Sequence, residues 1–101
     1  MRKIEIELSN AIKNKSYFCK SNMSININNG NIDIYLYSTK IAYVTGNYIY
    51  LYSGGWRSST TKSRLNTILD TFNLPKITQK NFIWYIGEEE FYDGISFKIN
   101  N

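Results

Sequence analysis

The stretch Met23-Ser24-Ile25-Asn26-Ile27-Asn28-Asn29-Gly30-Asn31-Ile32-Asp33-Ile34-Tyr35-Leu36-Tyr37 alternates apolar and polar residues on both sides of Asn29-Gly30. A period of two marks a strand with one buried face, and Asn-Gly supplies the positive-φ pair that a two-residue hairpin turn requires. The register follows. Ile27 faces Ile32, Ile25 faces Ile34 and Met23 faces Leu36, while Asn26, Asn28, Asp33, Tyr35 and Tyr37 point the other way.

Working toward the C-terminus, residues 41–44 and 48–52 repeat this logic around Gly46-Asn47, pairing Val44 with Ile49 and Ala42 with Leu51. Tyr48, Tyr50 and Tyr52 then share the opposite face. A plain two-residue loop at Ser38-Thr39 would set Ile41 and Tyr43, not Ala42 and Val44, beside Leu36. Either a bulge or a sheet covered on both sides resolves that conflict.

Beyond Gly54-Gly55, Leu65, Ile68, Leu69 and Phe72 fall at i, i+3, i+4 and i+7, the stripe of an amphipathic helix over about 60–73 that Pro75 ends. Residues 82–86 and 91–99 read as a closing hairpin, with Trp84 and Ile86 or Phe82 inward, a turn near residues 87–90, and a kink or bulge at Asp93-Gly94. Toward the N-terminus, residues 3–8 alternate as a strand with Ile4, Ile6 and Leu8 on one side. Ser9 is placed to cap a short helix over 10–15. The expected fold is α+β: an antiparallel meander of about five to seven strands, one main helix and a short N-terminal helix, in a single domain over 1–101.

Composition narrows the function. A chain of 101 residues with 16% aromatics holds enough apolar mass for one core and no second one. There is no histidine, and Cys19 is the only cysteine, so an internal disulfide and the usual zinc sites are excluded. Cys19 has only Lys15 and Lys20 nearby, and no paired carboxylates stand out, so the expectation is a non-enzyme without cofactor or metal. No apolar run is long enough to span a bilayer and the polar start is not a signal peptide, which places the protein, as an expectation, in the cytoplasm. Charge is uneven. Residues 1–82 carry eleven Lys and Arg against Glu5, Glu7, Asp33 and Asp70, whereas residues 83–101 set Lys98 alone against Glu88, Glu89, Glu90 and Asp93. That suits a basic surface drawn to polyanions or acidic protein faces, or simply a solvated lysine-rich surface.

Two segments are candidates for binding. Trp56-Arg57-Ser58-Ser59-Thr60-Thr61-Lys62, with Arg64 one turn on, joins hydroxyls and cations at a helix start, where unpaired amides and the helix dipole favour a phosphate or carboxylate. It is not a P-loop. The competing reading is structural: one hydroxyl caps the helix, Trp56 plugs the core at the corner, and the cations are solvated. The second candidate is the row Tyr35, Tyr37, Tyr48, Tyr50 and Tyr52, which suits a base-stacking platform, a protein-binding surface, or a second core layer beneath a helix.

The residues Ser38-Thr39-x-Ile41-Ala42, Gly46, Ser53-Gly54-Gly55-Trp56-Arg57 and Thr60-Thr61-Lys62-x-Arg64-Leu65-Asn66, with Gln79, Trp84-Tyr85, Phe91 and Asp93-Gly94 downstream, resemble a group of small phage and mobile-element proteins. The resemblance spans about residues 17–96 and is most specific over 53–66. It implies a bacteriophage or prophage setting and assigns no activity. By analogy with small phage proteins that lack catalytic residues, the expected role is an inhibitor of host defence, such as an anti-CRISPR protein, acting as a nucleic-acid mimic or competitor on a CRISPR effector or other defence complex. Two alternatives stand beside it: a direct binder of nucleic acid or a signalling nucleotide at the Arg57–Lys62 helix start, and a virion structural component. A monomer or a small homo-oligomer fits each.

Overall fold

A computed structural model describes residues 3–99 of the chain as two helices and nine strands. The Asn29-Gly30 hairpin joins β2 (Met23–Asn28) to β3 (Asn31–Leu36) with the register the side-chain pattern demands: Ile27 opposite Ile32, Ile25 opposite Ile34 and Met23 opposite Leu36. Around Gly46-Asn47, β4 (Thr39–Thr45) pairs with β5 (Tyr48–Leu51), Val44 facing Ile49 and Ala42 facing Leu51. The conflict between these hairpins is resolved by a bulge. The β3–β4 register shifts after Ile34, so Ile41 is the extra residue and both it and Ala42 are buried.

A short strand β1 (Phe18–Lys20), not foreseen in the sequence, lines the outer edge of β2 and is tied back by Lys20 Nζ on the Glu7 carboxylate at 2.7 Å. At the far edge, β9 (Ile95–Lys98) pairs antiparallel with β5. The six-stranded sheet therefore runs β1-β2-β3-β4-β5-β9.

The N-terminal reading is corrected: residues 3–8 are not a strand, because α1 (Lys3–Lys13) is one continuous helix. Ile4, Leu8, Ala11 and Ile12 stand at helical spacing, and the last three are buried, whereas Ile6 is left 47% exposed. Six alternating residues satisfy either period, and packing on α2 decides for the helix. Ser9, expected as a cap, sits mid-helix and bonds Thr71 Oγ1 at 2.9 Å.

The main helix is as expected, with shorter bounds: α2 (Ser59–Thr71), capped by Ser58, whose hydroxyl accepts from the Thr61 amide. The closing hairpin is also corrected. Residues 82–86 do not pair with 91–99. Instead β6 (Ile77–Lys80) pairs with β7 (Ile83–Ile86), which pairs with the two-residue β8 (Glu89–Glu90), forming a separate three-stranded sheet, while β9 completes the large one. Both sheets and both helices contribute to one core, in which Leu8, Ile34, Ile49, Leu65, Ile68, Trp84 and Phe91 are almost wholly buried. Among the described residues no helix is long and apolar enough to cross a membrane.

Candidate functional site

Because strand side chains alternate, placing the aliphatic residues of β2–β5 in the core sends their tyrosines to the opposite face. Tyr35, Tyr50 and Tyr52 there are half-buried and Tyr48 is 48% exposed. The face is not a second core layer: its residues keep solvent contact, and the helices pack on the aliphatic side. Tyr43 belongs to it as well, its ring centroid 6.2 Å from that of Tyr50. Its position was legible in advance, since the Val44–Ile49 register sets Tyr43 opposite Tyr50.

Lys40 stands among these rings, 5.9 Å from the centroid of Tyr35 and 5.3 Å from that of Tyr43, with its ammonium 3.1 Å from Asp33 Oδ1. The hydrogen bond to Asp33 holds the Lys40 ammonium above the ordinary lysine value, opposed by burial and reinforced in lesser measure by that carboxylate's charge. A cation paired with Asp33 thus stands against two tyrosine rings of the face. Tyr37 does not join the row. β3 ends at Leu36, and Tyr37 occupies the following turn with φ 56° and 74% exposure.

That turn faces the 54–62 segment. Asp93 organises the corner there: its Oδ1 accepts from the Ser53 amide at 2.8 Å and hydroxyl at 2.7 Å, and its Oδ2 accepts from the Gly54 amide at 2.9 Å. Gly54 has φ 65°, and a Cβ placed on it would run into Thr39 Cγ2. The corner turns Trp56 outward, so its expected role as a core plug is corrected: the indole is 69% exposed. Between Trp56 and Tyr37 lies a cleft of about 460 Å³, floored by Leu36 and Ile41 and edged by the hydroxyl-bearing Ser58, Thr60 and Thr61.

The three cations expected at the helix start point to three different places. Arg57 stacks its guanidinium 5.4 Å from the Trp84 ring centroid and 5.0 Å from that of Phe91, and donates to the Phe91 carbonyl at 3.3 Å. Lys62 donates to Gln79 Oε1 at 3.0 Å. Arg64, expected to be solvated or on a ligand, is only 4% exposed. Ser58 is used as the cap, Thr61 is buried, and Ser59 and Thr60 remain exposed. Among the described residues no three His, Cys, Asp or Glu side chains are grouped to hold a metal ion.

Fold and surface together define a small α+β domain with two helices on one face of a six-stranded antiparallel sheet and a tyrosine-rich opposite face. The chain belongs to the Kyanoviridae Gp96 protein family, a phage family whose model matches residues 1–99. No curated protein and no solved structure matches it.

Proposed function

We propose that this phage protein is a non-catalytic antagonist of host defence that acts in the host cytoplasm, laying its tyrosine face on a nuclease effector complex in the manner of an anti-CRISPR inhibitor. The supporting observation is the partly solvent-exposed set Tyr35, Tyr43, Tyr48 and Tyr50, with Lys40 against Tyr35 and Tyr43, held on the central strands of the sheet. Tyrosine offers large contact area at small cost in side-chain entropy, and it is enriched where proteins bind proteins. The phage family supplies the setting. A sequence without histidine, whose one cysteine is exposed, supports binding over catalysis.

The test is co-elution of the purified chain with purified nuclease effector complexes of the host, followed by effector cleavage assays. The expected result is a stable complex that blocks cleavage. Replacing Tyr43 and Tyr50 together by Ser weakens it by tenfold or more, of the order seen for interface anchors, with an unchanged far-ultraviolet spectrum. An effector that binds the double variant as tightly as the parent rules out the tyrosine face, and failure to bind any effector rules out the function.

A further inference from the structure

The β6–β7 hairpin ends in a feature that its own stability does not explain. Lys80 pairs with Ile83, which leaves Asn81-Phe82 as a two-residue turn with φ 52° and 67°. Such turns favour glycine at the second position, because a bulky side chain in the left-handed region is strained. Here the position holds phenylalanine, and its side chain is 93% exposed. The strained residue makes no apolar contact that would offset its conformation. Backbone strain kept at a solvent-facing aromatic points to a role outside the fold.

The surroundings indicate what the ring meets. Ile77 N donates to Asn66 Oδ1 at 2.7 Å and Lys62 Nζ to Gln79 Oε1 at 3.0 Å, so β6 runs antiparallel to α2 and its tip comes level with the start of that helix. Thr78, Gln79, Lys80 and Asn81 are all exposed, and residues 76–83 contain Lys76 and Lys80 but no acid. Asp70 and Glu5 border the groove that Lys62 and Lys76 line, and Lys76, like Glu88, Glu89 and Glu90, lies at the end of the hairpin away from the tip, toward the β7–β8 turn. A protein-binding anchor sits within an apolar centre from which lysine is depleted. One projecting ring among lysines, amides and hydroxyls is instead the composition of a surface that stacks a base and holds phosphates.

We infer that the β6–β7 tip is a nucleic-acid contact, with Phe82 stacking on a base and Lys80 on an adjoining phosphate. It is a separate surface from the tyrosine face and does not depend on it.

The test is fluorescence anisotropy of the full chain with a short labelled oligonucleotide, in single-stranded and duplex arms, at several salt concentrations. Expected is saturable binding whose logarithm falls with log salt at a slope of about −0.7, as one phosphate contact on a single strand requires. Phe82→Ala weakens binding about tenfold with the slope unchanged, and Lys80→Gln flattens the slope. Phe82→Gly loses the same affinity without a fall in melting temperature, which separates a binding ring from a structural one. The better-bound arm tells whether the ring stacks on unpaired bases or wedges between paired ones. The Tyr43/Tyr50 double variant retains oligonucleotide binding, so the two surfaces are read separately. Absence of saturable binding in both arms at low salt, Phe82→Ala binding as tightly as the parent, or equal Phe82-independent binding to heparin, which has no bases, overturns the inference.

Discussion

Gly54 and Asp93 act as a pair. The glycine adopts a backbone that other residues resist and lies too close to Thr39 for a side chain, and the Asp93 carboxylate accepts from the backbone amides of Ser53 and Gly54. Hydrogen bonds to a charged group contribute about 1.5–3 kcal/mol each, shared here among three donors that water partly reaches. Asp93→Ala is therefore expected to lower unfolding stability by about 2 kcal/mol, measured by urea titration followed by circular dichroism. Asp93→Asn, which keeps an acceptor, should lose less. Arg64 presents the opposite case. Its Nε and Nη1 are buried with no acceptor among the described residues, so the site carries the cost of desolvating a charge without recovering it. Arg64→Met keeps the length and removes that cost, and its urea midpoint is expected to equal or exceed the parent's.

At the scale of elements, α2 depends on its first turn. Ser58 Oγ accepts the Thr61 amide at 3.2 Å, and no acidic residue in that turn complements the helix dipole. Ser58→Ala should cost about 1 kcal/mol, and Ser58→Asp should recover it, as read by thermal melting. The β3–β4 pair carries the Lys40–Asp33 bridge. Because the folded state holds the Lys40 proton more tightly than the unfolded chain does, the bridge's contribution is fully present at neutral pH, below the ordinary lysine value near 10.5. That stabilisation is lost as pH rises through the raised value. Lys40 is exposed while Asp33 is mostly buried, and solvent screening at the lysine limits the contribution to below about 1 kcal/mol. Lys40→Met is thus expected to differ from the parent by a small, constant amount across neutral pH and to converge with it in strong alkali, checked by urea unfolding at stepped pH.

For the whole molecule, the three-stranded sheet does not have a core of its own. Trp84 and Phe91 meet edge to face at 5.6 Å and lie in the same buried cluster as Leu65 and Ile34. The two sheets should therefore unfold together. Tryptophan fluorescence, governed by buried Trp84 rather than exposed Trp56, and far-ultraviolet circular dichroism are expected to trace one coincident transition. Separate midpoints would mean that the β6–β8 sheet opens first.

The sequence by itself determined the elements whose signals are local: the Asn29-Gly30 and Gly46-Asn47 hairpins with their registers, the need for a bulge beside Ile41, and the α2 stripe from Leu65 to Phe72. In each, a turn residue or a repeated period specifies the backbone without reference to distant contacts. Tertiary structure alone decided the rest. Residues 3–8 satisfy two periods, and packing against α2 chose the helix. Polar Ile77–Lys80, joined through a turn without glycine, carried no strand signal, and β9 crossed to the open edge of β5 because that edge needed a partner. The binding candidates divide in the same way. Alternation alone placed most of the tyrosine row on one face, but the directions of Arg57, Lys62 and Arg64, the outward turn of Trp56 and the strain at Phe82 depend on which neighbours the folded chain brings within reach.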